Sequence, residues 1–539
     1  MQEEKKPARR ETLLMLLLLI AGVVAIFSGT KTTGRNDHIA LVQRICKKTL
    51  YPSTCHSTLS FPISTIVTTK RTVLDLALTT VNTAIKSIIH ARLKIKRLRS
   101  LPRSPATKDC LLMLDQSLHI LRASRTNLRS VFRVRNRRTR NLRQVRSLLA
   151  AAMTHRDSCL SGLDDENVFN SSRSGIKNKI VFSKFLNPMK ETLSNALAIT
   201  NKLLKSSERV IAHRRVSELG LGNPGPDEFV VVCSNGTGDY KTISEAVEAA
   251  PSSISHRFVI QISPGVYSEN IFIPFQKNNL MFVGSGMNLT VIEGNRNMKD
   301  GYTTFNSATL AISGAGFLAR DLTVVNTAGP AKGQAVALRV SADQAAFYRC
   351  NISGYQDTLY AHSSSQFYRD CIISGTVDFI FGNAAAVFQN CLIIVLHPLQ
   401  GQRDMITAHS RDDPFQPTGF SLQNCSITAP IYNHFSSNTS KYEVYLGRPW
   451  RRYSRTMVMG SYLGEEVSPK GWHDWSENAP LDSVELMEYN NRGPGSKISE
   501  RVAWARYNAT REEAVEFAIG NLIDGWWLNA TTYPFYFGL

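Results

Sequence analysis

The octapeptide Cys350-Asn-Ile-Ser-Gly-Tyr-Gln-Asp357 returns twenty-one residues later as Cys371-Ile-Ile-Ser-Gly-Thr-Val-Asp378. Both copies read C-x-I-S-G-x-x-D. A period near twenty residues belongs to a solenoid that lays down one coil per repeat. Residues one period apart then stack in register, about 4.8 Å from their neighbours. Asp357 and Asp378 would lie side by side. Two carboxylates that close resist joint ionisation, which pushes one toward an acid and the other toward a base or nucleophile.

The surrounding sequence extends the pattern. An aromatic-x-x-Cys-x-Ile element recurs around Cys350, Cys371, Cys391 and, less strictly, Cys425. Beyond Phe229, short β-branched and aromatic runs are punctuated by Gly and Asn. Asn-Gly and Asp-Gly hairpin turns are rare, which argues against a sandwich. The fold expected for residues 228–539 is an all-β, right-handed parallel β-helix. Its stacked coils bring Cys350 and Cys371 within disulfide range, and a bridge between them is expected, with Cys391 a free thiol.

The first part of the chain differs. Residues 38–216 are poor in glycine and carry apolar residues at helical spacing, such as Val73, Leu76, Leu78 and Val81. This predicts an all-α, up-and-down four-helix bundle. Gly220-Leu-Gly-Asn-Pro-Gly-Pro226 lies in a linker, residues 217–227. Charge follows the same boundary. Residues 1–225 hold 40 Lys+Arg against 14 Asp+Glu, a net +26, and the remaining 23 against 29 leave −6. The basic excess, mostly arginine between Arg92 and Arg140, suits a polyanion or a solvated helix face.

Residues 1–30 place Lys5, Lys6, Arg9 and Arg10 before an apolar run from Leu13 to Phe27. That pattern predicts a secretory signal peptide or an uncleaved signal anchor, and any membrane contact would be confined to it. Eight N-x-S/T sequons, at Asn170, Asn235, Asn288, Asn351, Asn424, Asn438, Asn508 and Asn529, agree with the secretory route. Nine cysteines fit an oxidising compartment. No Cys/His spacing suggests a metal site, no cofactor is expected, and no nucleic-acid motif is present.

Several blocks converge on the repeated coils: Gln334-Ala-Val-Ala-Leu-Arg339, Gly354-Tyr-Gln-Asp-Thr-Leu-Tyr360, Asp378-Phe-Ile-Phe-Gly-Asn383 and Leu446-Gly-Arg-Pro-Trp450. With Gly265-Val-Tyr-Ser-Glu269 and Gly471-Trp-His-Asp-Trp475, they make residues 229–539 resemble the plant pectin methylesterases. The resemblance implies a cell-wall enzyme that demethylates methyl-esterified pectin to pectate and methanol. It implies Asp378 as nucleophile, Arg448 as the residue orienting it, and Asp357 as general acid and then base. Gln334 and Gln356 would stabilise the oxyanion. Thr304, Tyr360, Phe381 and Trp450, with Gln334 and Arg448, would contact the sugar chain. A lyase or a polygalacturonase would place its acidic residues differently. A non-catalytic wall-binding or inhibitory protein would not need Asp357, Asp378 and Arg448 together.

The helical half resembles the pectin methylesterase inhibitor domain that precedes many of these enzymes. Cys46-Lys-Lys-Thr-Leu-Tyr-Pro-Ser-Thr-Cys55, Asp109-Cys110 and Ala152-Met-Thr-His-Arg-Asp-Ser-Cys159 carry that likeness. It implies disulfides Cys46–Cys55 and Cys110–Cys159, and an intramolecular inhibitor or retention device that is removed at a basic motif followed by two leucines. A separate inhibitor protein is the alternative partner. Three positions depart from the family pattern: Arg214-Arg215 is followed by Val-Ser, Gly284-Ser-Gly286 replaces Gly-Asp-Gly, and Val232-Cys-Ser-Asn235 lacks the usual opening acidic residue.

Overall fold

The computed structural model of the chain describes residues 38–60, 73–98, 104–131, 138–170, 173–211, 228–430 and 442–539. The Leu13–Phe27 run, the linker, Arg214-Arg215 and Asn438 lie outside them. No described helix is long and apolar enough to cross a membrane.

The N-terminal half is helical: α1 (38–46), α2 (Pro52–Leu59), α3 (Val73–Arg97), α4 (Pro105–Ser130), α5 (Arg138–Asn170) and α6 (Arg173–Ile211). Local sequence sets the starts. The Ser104 hydroxyl accepts from the Thr107 N–H at 3.3 Å, and Pro105 occupies the first turn, where its missing N–H costs nothing. On α3, Ala77, Val81, Ala84, Ile88, Ala91 and Ile95 share the buried face. Cys46–Cys55 and Cys110–Cys159 are disulfides with Cα atoms 5.5 and 4.5 Å apart, tying α1 to α2 and α4 to α5.

The C-terminal half is a parallel β-helix. A 16-stranded sheet wraps its sides, and a 7-stranded sheet runs along one face. Helix α7 (Ile243–Ala249), opened by a Thr242/Glu245 capping box, covers the first coils with Ile243, Ala246 and Val247. Helices α8 (Arg511–Glu516) and α9 (Ile519–Leu522) pack on the 16-stranded sheet through Phe517 and Ile519.

Each letter of the repeat has a structural cause. Register pairs Asn351 with Ile372, Ile352 with Ile373 and Ser353 with Ser374, so the coil is 21 residues long here. Ile352 and Ile373 point inward and are fully buried, each worth about 1.5–3 kcal/mol of apolar burial. The Ser353 and Ser374 hydroxyls share a hydrogen bond of 2.8 Å across the coils. A Cβ on Gly375 would stand 2.3 Å from Phe379 Cβ, so only glycine lets the chain turn this tightly before the aspartate.

The cysteines occupy a corner of the coil. The residues just before them, Arg349, Asp370, Asn390 and Asn424, adopt φ of +49°, +50°, +57° and +54°. Asn and Asp tolerate that left-handed conformation best among non-glycine residues, and Arg349 is the exception to the pattern. The following thiol then faces the interior. Beside the thiols runs an aromatic stack, with Phe347–Tyr368 and Tyr368–Phe388 centroids 5.0 and 4.7 Å apart.

The expected Cys350–Cys371 disulfide is not formed; both are free, as are Cys391, Cys425 and Cys233. In-register parallel strands aim adjacent Cβ vectors the same way, whereas a disulfide needs them to converge. The thiols of Cys350, Cys371, Cys391 and Cys425 instead donate to backbone, as Cys371 Sγ does to Arg369 O at 3.4 Å and Phe347 O at 3.5 Å.

Candidate active site

The 7-stranded sheet runs in chain order through Leu338–Val340, Leu359–Ala361, Ile380–Gly382, Asp404–His409 and Val444–Pro449. Leu359 pairs with Ile380 and Tyr360 with Phe381, so Asp357 and Asp378 enter their strands at the same level. The Asp357 N–H donates to the Val377 carbonyl at 3.0 Å, locking the two turns together. Both aspartates hold positive φ, +64° and +51°, a conformation the surrounding sheet must enforce. They are 8 % and 6 % exposed.

Arg448 comes from two strands beyond Asp378. It grips the carboxylate with both ends of its fork, Nε to Oδ1 at 2.9 Å and Nη2 to Oδ2 at 2.6 Å. Burial pushes the Asp378 carboxyl above the usual range, while Arg448 pulls it back through hydrogen bonds and charge. The Arg448 guanidinium also lies 4.3 Å from the Trp475 ring centroid, and Trp475 stacks on Trp450 at 6.1 Å. Gln356 precedes Asp357 in the chain, and its carbonyl accepts from Ala335 N–H at 3.2 Å, which puts Gln334 on the coil before it. Both glutamines are half-buried. A carboxylate held by a guanidinium beside a second carboxyl can attack an ester.

The aromatic residues line up with this group. Tyr360 and Phe381 stack at 4.2 Å, and Phe381 meets Trp450 at 6.0 Å. Thr304 is half-buried at the start of a 3-10 turn, Thr304–Asn306.

The bundle lies across this face. Tyr360, Phe381, Phe305 and Ala408 belong to one apolar cluster with the bundle core, which leaves Tyr360 and Phe381 only 5 % and 3 % exposed. Ser158 of α5 shares hydrogen bonds with Tyr360 Oη at 3.2 Å and His362 Nε2 at 2.9 Å. His155 stacks on His362 at 5.4 Å, and Arg339 caps the cluster 3.5 Å from the Phe305 ring. Arg451 donates to Ser161 at 3.2 Å, and Asn383 to Thr154 at 3.0 Å.

Sequence reasoning missed His155, Ser158, His362 and Trp475 as members of this region. His155 and Ser158 stood inside the block read only for Cys159, and Trp475 inside a block read only for likeness. A polar pair on the bundle and a histidine just past the end of a strand have no shared sequence signal until the two halves meet.

Comparison with known proteins agrees with the geometry. The pectinesterase family model matches residues 229–526, and the plant invertase/pectin methylesterase inhibitor model matches residues 40–199. The chain is 39 % identical to the probable pectinesterase/pectinesterase inhibitor 12 of Arabidopsis thaliana, over 95 % of this chain and 96 % of that protein. It is 51 % identical to a pectinesterase of Daucus carota over 58 % of this chain and 98 % of the relative. Among solved structures, a pectin methylesterase from carrot superposes with a TM-score of 0.56 at 50 % identity, covering 60 % of this chain and all of the carrot chain. The chain belongs to the pectinesterase family, as a parallel β-helix enzyme preceded by a pectin methylesterase inhibitor domain.

Proposed function

We propose that Asp378 and Asp357 carry the demethylation of pectin in this chain. The observation that supports it most is the pairing of Asp378 with Arg448 beside a second carboxyl in register. Asp378 Oδ attacks the carbonyl carbon of the galacturonosyl methyl ester, and negative charge moves to the carbonyl oxygen. Gln334 and Gln356 side-chain N–H groups meet that oxyanion. On collapse the bond to the methoxy oxygen breaks, Asp357 supplies the proton, and methanol leaves an acyl-Asp378 intermediate. Asp357, now a carboxylate, takes a proton from water. The hydroxide attacks the acyl carbon, freeing a galacturonate carboxyl and Asp378. Tyr360, Phe381, Trp450 and Thr304 would hold the sugar chain.

We infer further that the bundle, residues 38–216, inhibits residues 228–539 by covering Tyr360 and Phe381, and that a cut near linker 217–227 would relieve it. A separate inhibitor protein could occupy the same face after removal of the bundle. The N-terminal basic-apolar segment and the exposed sequons at Asn235, Asn288, Asn424, Asn508 and Asn529 support secretion to the cell wall. The carrot relatives correspond to the β-helix alone, so residues 228–539 are the right fragment for a test. That fragment should release methanol from methylated pectin faster than the full chain. Equal rates would remove the inhibitory role, and no release by either would remove the esterase.

A further inference from the structure

The arginine-rich stretch is left unused by the esterase chemistry. Ten arginines and no acidic residue fall between Arg122 and Arg146. Arg122, Arg125 and Arg129 stand on the last turns of α4, and Arg138, Arg140, Arg143 and Arg146 on the first turns of α5. The two helix ends are held side by side: Asn127 donates to Gln144 at 3.1 Å, and Asn141 to Ser130 at 2.7 Å. Helix α6 adds Lys205, which lines with Arg140, Arg143 and Arg146 a cleft of about 810 Å³ between bundle and β-helix. One pole of the bundle therefore gathers eight cations.

Compensating charge there is sparse. Arg143 pairs with Asp524 at 2.7 Å, and Asp343 and Glu516 also line the cleft. Asp343 is turned inward to accept from the Ser365 N–H at 3.2 Å. Arg122, Arg129, Arg140 and Lys205 are exposed. Crowding like charges at one end opposes folding unless an anion relieves it, and guanidinium forks favour carboxylates. The catalytic half carries a net charge of −6.

We propose that this pole is a docking surface for de-esterified pectin, a regular polycarboxylate, so that the bundle tethers the chain to polymer already demethylated. The identity of the polymer rests on the esterase reading; the polyanion surface does not.

The test is binding of the full-length chain to immobilised, fully de-esterified polygalacturonate, a polymer with no ester to turn over. The wild type should bind, and more weakly as salt rises past about 0.15 M. A triple Arg122→Gln/Arg129→Gln/Arg140→Gln variant should bind at least about tenfold more weakly, with a melting temperature no lower than that of the wild type. The matching triple Arg→Lys variant should keep most of the affinity. Wild-type affinity in the Gln variant would overturn the proposal. So would preference for phosphatidylserine vesicles over the polygalacturonate. Methanol release from methylated pectin, measured in parallel, tests the esterase reading separately: its loss with binding intact would sink only that reading.

Discussion

Arg448 reaches Asp378 across an intervening strand: Phe381 pairs with Ala408, and Ala408 with Arg448. Two strand spacings are about 9.6 Å, a gap that needs the longest basic side chain. The result is a two-point grip at 2.9 and 2.6 Å on a carboxylate whose pKa burial pushes upward.

Lysine cannot reproduce that grip, because it offers a point charge in place of a fork. Arg448→Lys should lower kcat/KM on methylated pectin by about 10²- to 10³-fold, with most of the loss in kcat. A change confined to KM would show that Arg448 binds substrate without orienting the nucleophile.

The pH profile follows from the same pair. Attack needs ionised Asp378, whose pKa is raised by burial against the pull of Arg448. Activity should therefore fall on acidification, beginning above the ordinary carboxylate range. Weakening the pull, as in Arg448→Gln, should move that acid limb to higher pH. A limb that stays in place in the residual activity would assign it to another group.

Much of this was legible in the sequence because a solenoid converts linear spacing into contact. Twenty-one residues between Asp357 and Asp378 became one strand spacing, and the repeat's Gly, Ser and Ile each met a local need. The Cys350–Cys371 pairing failed for a related reason: register places two residues side by side, but the direction of their Cβ bonds decides whether they can bond. The interface was illegible because His155 and Ser158 meet Tyr360 and His362 across some two hundred residues, with no periodicity to connect them.

That interface should respond to acid. Burial, then the charge of Arg339, lowers the His155 pKa to about 3, and His362 is likewise depressed by burial, His155 and Arg339. A histidine lowered by docking stabilises the docked state above its free value, about 6.5, and that stability drains away as pH falls toward 3. Protection of the α5 amides against hydrogen exchange, relative to the intrinsic rate at each pH, should fall between about pH 6.5 and 4 in the full chain, and His155→Gln should flatten the dependence. Protection independent of pH in the wild type would contradict this.

Asp404 makes a separate stability prediction. It is fully buried at the start of its strand, neither carboxylate oxygen has a hydrogen-bond partner among the described residues, and burial raises its pKa to about 8. A raised carboxylate favours folding only while protonated. Its contribution is complete below the unfolded value of about 3.9 and is lost as pH climbs through about 8. Asp404→Asn should melt higher than wild type at pH 8, with the gap closing near pH 4. An equal gap at both ends would mean that Asp404 is not the group responsible.

The most direct measurement is methanol release from methylated pectin by residues 228–539 carrying Asp378→Asn, beside the unsubstituted fragment. The substitution keeps the shape and removes the attacking charge, so turnover should fall by about 10³-fold or more while the fold is retained. Unchanged turnover in a folded Asp378→Asn fragment would contradict the assignment of the nucleophile.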